Sequence, residues 1–326
     1  MTESKITRRE FIEKTAAHAA TAAALPGLAA SLEAAQAKGK LPQRVLGRTK
    51  TEVSILAFGC GSRWLMYKDE EEALRVLNRA VDLGITYLDT AFGYGNGLSE
   101  TRLGKFLATR RKEVWVATKM PETARSRDAV LREFENSLKR LQTDRVDLCH
   151  LHSLKDDADL AKIEAPDGAI KALYELRDQK VARFIGMSSH TDGAVMARAI
   201  EHNDLDCVQM AMNPTRALRF EELALPAARK KNLGIILMKA AAQEKIVGVG
   251  PGKAGIEQLV RYAWSLPVSA MVIGMNKVEY LEQNIQLAKS FNPMKPAEMD
   301  ALAAQLAPAR ASLERFFCNH CDSSWA

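Results

Sequence analysis

Cysteine is scarce here, with five in 326 residues. Cys60, Cys149 and Cys207 stand in apolar runs and read as buried thiols, so the chain is not built on a disulfide framework. Beyond residue 37 no apolar run is long enough to cross a bilayer, which excludes stable membrane insertion. Long runs of one charge are missing too. The net charge of +6 is scattered, and clusters such as Arg110–Lys112 and Arg229–Lys231 mark solvated helix ends rather than a nucleic-acid surface. Two motif absences narrow the chemistry. Gly59-Cys60-Gly61-Ser62-Arg63-Trp64 lacks the third glycine that the first turn of an open dinucleotide-binding sheet requires. Neither a metal cluster nor a pair of catalytic acids is evident, which argues against a hydrolase and leaves the metal assignment as none.

What is present is a repeat. Short apolar strands at Ile55–Phe58, Thr86–Leu88, Val114–Ala117, Val146–Leu151, Phe184–Met187, Cys207–Met210, Gly234–Leu237 and Met271–Ile273 alternate with amphipathic helices. The helix over Glu70–Leu83 carries a one-sided stripe of Ala73, Leu74, Leu77, Ala80 and Val81. Eight such units predict a parallel sheet closed on itself, a (β/α)8 TIM barrel. Leu46-Gly47-Arg48-Thr49-Lys50 is a turn between two extended runs and predicts an N-terminal β-hairpin closing the barrel floor. The domain boundaries follow as 38–295 for the barrel and 296–326 for a C-terminal tail, helical over Ala297–Leu306 and irregular after it.

Residues 1–37 read as a targeting segment. Arg8 and Arg9 precede an alanine-rich, weakly apolar stretch broken by Pro26, and Ala35-Gln36-Ala37 supplies a small-x-small cleavage pattern. The order resembles a twin-arginine export signal, which implies the Tat machinery as a partner and a periplasmic or otherwise exported protein. The alternative is a cytoplasmic chain with an unstructured N-terminus.

In a barrel of this kind the C-terminal strand ends form one rim, where function sits. Asp89, Lys119 and His152 end three consecutive strands, and Tyr94 stands in the Gly93–Gly97 loop just past Asp89. Adjacent parallel strands lie about 4.8 Å apart, so the four groups can converge. An ammonium beside a phenol favours the phenolate and makes the phenol a usable acid. Asp89 would pair with Lys119, and His152 would donate to the same substrate oxygen or relay a proton. The set suits reduction of a carbonyl, with hydride arriving at carbon while Tyr94 protonates oxygen. His150, two residues before His152 on the same face, is an equal candidate by residue type. Arg63 and Trp64, just past the first strand, are expected to line the substrate pocket with Tyr94 and His152.

These residues resemble the aldo-keto reductases. The matching pieces are Leu88–Gly95, Ser99–Lys105, Val116–Lys119, Ser137–Leu141 with Val146–His152, and Gly186-Met187-Ser188-Ser189-His190. The resemblance runs from about Gln43 to about Asn292. It implies that Asp89, Tyr94, Lys119 and His152 form the catalytic tetrad, and that NADP(H), with NAD(H) not excluded, is the cofactor. It implies further that Ser188, Ser189 and Gln209 contact the nicotinamide carboxamide and Asp89 its ribose. The family commonly has Asn at the Ser189 position, and Met238 replaces a stacking tyrosine. Lys239 and Ala240 follow on the same loop. Gly274, Met275, Asn276 and Lys277, then Gln283 and Asn284, match the adenosine-phosphate region, where only Lys277 is basic. The Met238-Lys239 turn and Cys318-Asn319-His320-Cys321 are most similar to a subgroup with a C-terminal iron-sulfur module. Three such side chains are too few for a four-iron cluster, which leaves a disulfide or a zinc half-site shared between subunits. The activity implied is reduction of a small aldehyde or ketone; the alternative is a non-catalytic nicotinamide-binding regulatory subunit.

Overall fold

The computed structural model describes residues 40–316. The export segment and the Cys318–Cys321 pair lie outside the described residues. The chain opens with the antiparallel strands β1 (Gln43–Val45) and β2 (Glu52–Ser54), in register through Arg44 and Val53. Eight parallel strands follow: β3 (Leu56–Gly59), β4 (Tyr87–Asp89), β5 (Trp115–Met120), β6 (Val146–Leu151), β7 (Ala182–Ser189), β8 (Cys207–Ala211), β9 (Gly234–Met238) and β10 (Ala270–Ile273). They pair in chain order and β10 closes on β3, completing the predicted barrel.

Helices pack between the strands on the outside. They are α1 (Ser62–Leu65), α2 (Glu70–Asp82), α3 (Leu98–Arg110), α4 (Arg127–Leu141), α5 (Asp157–Glu164), α6 (Ala169–Asp178), α7 (Gly193–His202), α8 (Leu225–Lys230), α9 (Ile256–Ser265), α10 (Val278–Lys289) and α11 (Pro296–Phe316). Their starts are written in the sequence. Asp69, Ser126 and Asp192 each accept a backbone N–H of the first turn of α2, α4 and α7, which satisfies a donor the helix cannot. In α2 the buried residues are Ala73, Val76, Leu77, Ala80 and Val81, one stripe at helical spacing against the sheet.

Two elements differ from expectation. The helix α11 runs to Phe316 instead of stopping at Leu306, through Pro308. Its Ala-rich sequence favours helix, and Leu302, Leu306 and Leu313 are buried along one face, so packing outweighs the backbone bond that proline removes. The charged stretch after His152 contains α5, which lacks an obvious apolar stripe but has Asp156 as N-cap, accepting from Asp159 N at 2.8 Å.

The barrel interior changes character from floor to rim. At the floor Leu46 and Val53 of the hairpin pack in one cluster with Tyr87, Trp115, Leu148 and Ile236, all buried. The hairpin thus seals the N-terminal end with apolar side chains, as its sequence predicts. Higher up, the inward positions turn polar, with Asp89 and His150 two residues past Tyr87 and Leu148, Lys119 four past Trp115, and Gln209 on β8. The three cysteines read as core thiols are all buried. Gly186 makes room for this layer: a β-carbon there would lie 2.3 Å from the Cys207 carbonyl oxygen and 2.7 Å from His150 Nδ1. Gly186→Ala is therefore expected to cost about 2–3 kcal/mol by overpacking. A lowered denaturant midpoint with unchanged slope would show it; a midpoint equal to wild type would mean that this layer has slack.

Candidate active site

Lys119 and Asp89 meet because β4 and β5 are neighbours in register. Asp89 lies opposite Ala117, and Lys119, two residues on, points inward one layer nearer the rim. Lys119 Nζ donates to Asp89 Oδ1 at 2.5 Å, to the Thr90 carbonyl at 2.9 Å and to Tyr94 Oη at 3.3 Å. An ammonium has three donors, so all three are engaged. Both charged side chains are essentially inaccessible, 0% exposed for Lys119 and 1% for Asp89. Burial pushes the Asp89 carboxyl up from its ordinary range, and the Lys119 ammonium pulls it back.

Tyr94 is held by its loop. Thr90 N donates to Ala117 O and Phe92 N to Lys119 O, which lays the loop along β5. Ser99 Oγ donates to the Cys60 carbonyl at 2.6 Å and shares a hydrogen bond of 2.7 Å with Thr90 Oγ1, tying the loop ends to β3. Gly95 and Gly97 take positive φ values of 66° and 89°, which the sharp reversal needs. Because Lys119 donates to the phenol oxygen, the phenol's own proton is directed elsewhere.

His152 follows β6 directly. Its ring stands edge-on to Tyr94, with centroids 5.8 Å apart. Burial, then the Lys119 charge, holds its pKa well below the ordinary imidazole value, so it is neutral near pH 7. His190 lies beyond it, 6.4 Å between centroids. His150, the equal candidate by type, is buried one layer down against Gly186. The structure thus brings Asp89, Lys119, Tyr94 and His152 together at one rim and places His152, rather than His150, beside the phenol.

The other expected site residues fall less uniformly. Trp64 does not line the mouth. It is fully buried, donates Nε1–H to the Ala73 carbonyl at 3.0 Å and packs edge-on to Phe58, because the single turn of α1 rotates it under α2. Arg63 stays at the rim and forms a 2.8 Å ion pair with Glu244 of the loop after β9. Ser188 and Ser189 are buried with engaged hydroxyls: Ser188 Oγ accepts from Ser153 N, and Ser189 Oγ donates to Leu154 O. Gln209 lies beside Asp89, and Met238 ends β9 with Lys239 at a φ of 64° and Ala240 behind it. Gly274, Met275, Asn276 and Lys277 follow β10, with the Lys277 ammonium 5.8 Å from the Tyr280 ring centroid. Gln283 is exposed and Asn284 buried on α10.

Sequence reasoning missed Thr90, whose carbonyl takes one Lys119 donor, and Arg125, whose Nη2 donates to the His152 carbonyl at 2.8 Å while Asp159 holds its guanidinium. Backbone acceptors leave no trace in side-chain identity. His190 carries a sequence signal, standing one residue past Ser189 at the same strand end.

A nicotinamide cofactor can be tested against these residues. Asp89 Oδ2, Gln209 Oε1 and both His152 nitrogens are buried with no hydrogen-bond partner among the described residues. Acceptors and a neutral imidazole left open at one rim suit a ligand bearing hydroxyl and carboxamide groups. Gln209 Oε1 and the His152 ring are the groups left available; the Asp89 carboxylate already pairs with Lys119 and lies against the Gln209 amide, and the two serine hydroxyls have partners.

The profile of the aldo/keto reductase family matches residues 56–247. The chain is 27% identical over 297 residues to the uncharacterized oxidoreductase YqkF of Bacillus subtilis (strain 168), covering 76% of this chain and 91% of that protein. It resembles the holo form of aldo-keto reductase AKR11C1 from Bacillus halodurans at a TM-score of 0.66 and 26% identity, over 81% of this chain and 96% of that one. The fold is shared with the aldo-keto reductase from Klebsiella pneumoniae solved in complex with NADPH, at a TM-score of 0.69 and 20% identity, over 81% and 95% of the two chains. With its closed barrel, its buried lysine–aspartate pair and a profile match over most of the barrel, this chain belongs to the aldo/keto reductase family.

Proposed function

We propose that the protein is an NAD(P)H-dependent carbonyl reductase in which Tyr94 gives the proton. The observation that carries this is the 3.3 Å contact from Lys119 Nζ to Tyr94 Oη at the open end of the barrel. Asp89 and Gln209 would hold the nicotinamide end of the cofactor, with Met238 and Lys239 beside them and the segment from Gly274 to Lys277 at its phosphate end. When bound, the cofactor supplies a hydride to the carbonyl carbon.

The chain's own residues do the rest. As the carbonyl oxygen gains negative charge, the phenol proton moves from Tyr94 Oη onto it. The ammonium of Lys119, already donating to that phenol oxygen, stabilises the phenolate left behind. Asp89 fixes the ammonium and balances its charge. His152, neutral, offers an N–H to the substrate oxygen and orients it without competing as an acid. The aldo-keto reductase yakc of Schizosaccharomyces pombe, 31% identical over 212 residues, is named for NADP(+), which supports NADP(H) here. The N-terminal segment further supports export through the twin-arginine route.

Purified protein is expected to oxidise NADPH with a panel of small aldehydes and ketones. Tyr94→Phe should lower kcat by a factor of about 10²–10⁴, the usual contribution of a positioned proton donor, while nucleotide binding by fluorescence titration persists. Full activity in the Phe variant would overturn the assignment; tight nucleotide binding with no turnover on any carbonyl would point to the regulatory reading. Lys119→Met should both slow turnover and destabilise the fold by about 3–5 kcal/mol, because Asp89 is left buried without its partner. His152→Gln, which keeps an N–H donor, should retain more activity than His152→Ala, and neither should remove a pH limb near 6.5. Mass spectrometry of protein from the periplasm should find a chain beginning after Ala37; an intact Met1 in the cytoplasmic fraction alone would reject export.

A further inference from the structure

The loop that carries Tyr94 is gripped from behind by an ion pair that no step of the proposed chemistry uses. Glu100, in the first turn of α3, is fully buried. One carboxylate oxygen accepts from Thr118 Oγ1 at 2.5 Å, the other from Arg140 Nε at 2.6 Å. Thr118 is the outward neighbour of Lys119 on β5. Arg140, in the last turn of α4, lies over the Phe92 ring at 4.9 Å. Its stem closes on the other shoulder of the same loop: a β-carbon on Gly97 would be 2.7 Å from Arg140 Cδ. Phe92 and Gly97 bracket Tyr94 and are joined to each other, Gly97 N donating to Phe92 O at 2.7 Å. Arg140 is itself fixed by Glu133 and Ser137 on its own helix.

One buried carboxylate therefore touches the neighbour of the ammonium directly and, through Arg140, both flanks of the phenol. The contact it would govern has little tolerance. At 3.3 Å the Lys119–Tyr94 hydrogen bond is already long. A displacement of about 1 Å in a reacting group can cost about a hundredfold in rate.

We propose that Glu100 and Arg140 are positioning residues that set the distance between Tyr94 Oη and Lys119 Nζ. The pair acts from outside the barrel wall and touches neither substrate nor cofactor. This rests on the reading of Tyr94 as the proton donor.

The test uses the full chain with NADPH and a carbonyl that wild type reduces. Arg140→Met keeps the side-chain length and removes the charge. It should lower kcat by about 10–100-fold, leave KM for the carbonyl within about threefold, and raise the solvent deuterium isotope effect as proton donation becomes slower. Arg140→Lys should restore part of the loss. In a Tyr94→Phe background Arg140→Met should add almost nothing, since both act on one step. A purely structural role would only reduce the active fraction: an unchanged isotope effect, or losses that multiply in the double variant, would overturn the proposal. If Arg140→Met does not fold because Glu100 is left unpaired, Glu100→Gln with Arg140→Met removes both charges and is read the same way. A last measurement separates this idea from the function it rests on. The Tyr94 titration, taken as the ultraviolet difference between the chain and its Tyr94→Phe variant, should move upward in Arg140→Met as the phenol draws away from the Lys119 ammonium. It requires no turnover, and an unmoved midpoint also overturns the proposal.

Discussion

An ammonium without solvent contact is the constraint on which this barrel turns. Removing Lys119 from water is costly unless its charge and all its protons are matched. The matching is complete: a carboxylate, a backbone carbonyl and a phenol oxygen each accept one N–H. Each acceptor comes from the segment between the end of β4 and the loop after it, so the demand of one lysine fixes where that whole stretch runs. The Thr90 carbonyl can reach Nζ only if the chain leaves β4 along β5, and that same path carries Tyr94 over the barrel mouth. The arrangement that satisfies a buried charge is thus also the one that places a phenol beside a cation, so stability and the proposed chemistry share one set of contacts.

The barrel supplies the setting in which that pair can persist. Closure gives every strand two partners and leaves no edge. The hairpin and the apolar cluster of Leu46, Val53, Tyr87 and Trp115 stop water from entering at the floor. The interior can then become polar only toward the other end, where Lys119, His152 and Gln209 gather. Low dielectric below the rim strengthens the contacts above it. The depressed basicity of His152 has the same origin, since burial disfavours a second positive charge close to Lys119.

Much of this is legible in the sequence, and the reason is period. Inward and outward residues alternate along a strand, so eight short apolar runs locate both the barrel and its rim, and Asp89, Lys119 and His152 follow from where those runs end. What stayed hidden lacked a period or spanned the chain. Trp64 sits in a single helical turn, too short for a face to be assigned, and its ring went into the core rather than the mouth. The charged α5 shows no apolar stripe that marks a helix; only Asp156 signals its start. In α11, Pro308 reads as a stop, yet the buried leucines on either side carry the helix through it. Arg63 with Glu244, and Arg140 with Glu100, are partners far apart in sequence, and nothing local names the partner.

The two histidines of β6 show where residue type ends and packing begins. His150 and His152 are separated by one period of the strand, so both face inward, and no argument from alternation can rank them. Height decides. His150 lies opposite Lys119 on one side and Gly186 on the other, and the missing side chain at Gly186 is the space its ring fills. It is enclosed by the wall and forms the floor of the site. His152 clears the last strand residue, where the wall ends, and meets the edge of Tyr94 instead. A bulkier residue at 186 would press on the lower imidazole while leaving the upper one at the mouth. The glycine two residues before Ser188 therefore shapes this rim, because it holds His150 down in the wall and leaves His152 beside Tyr94.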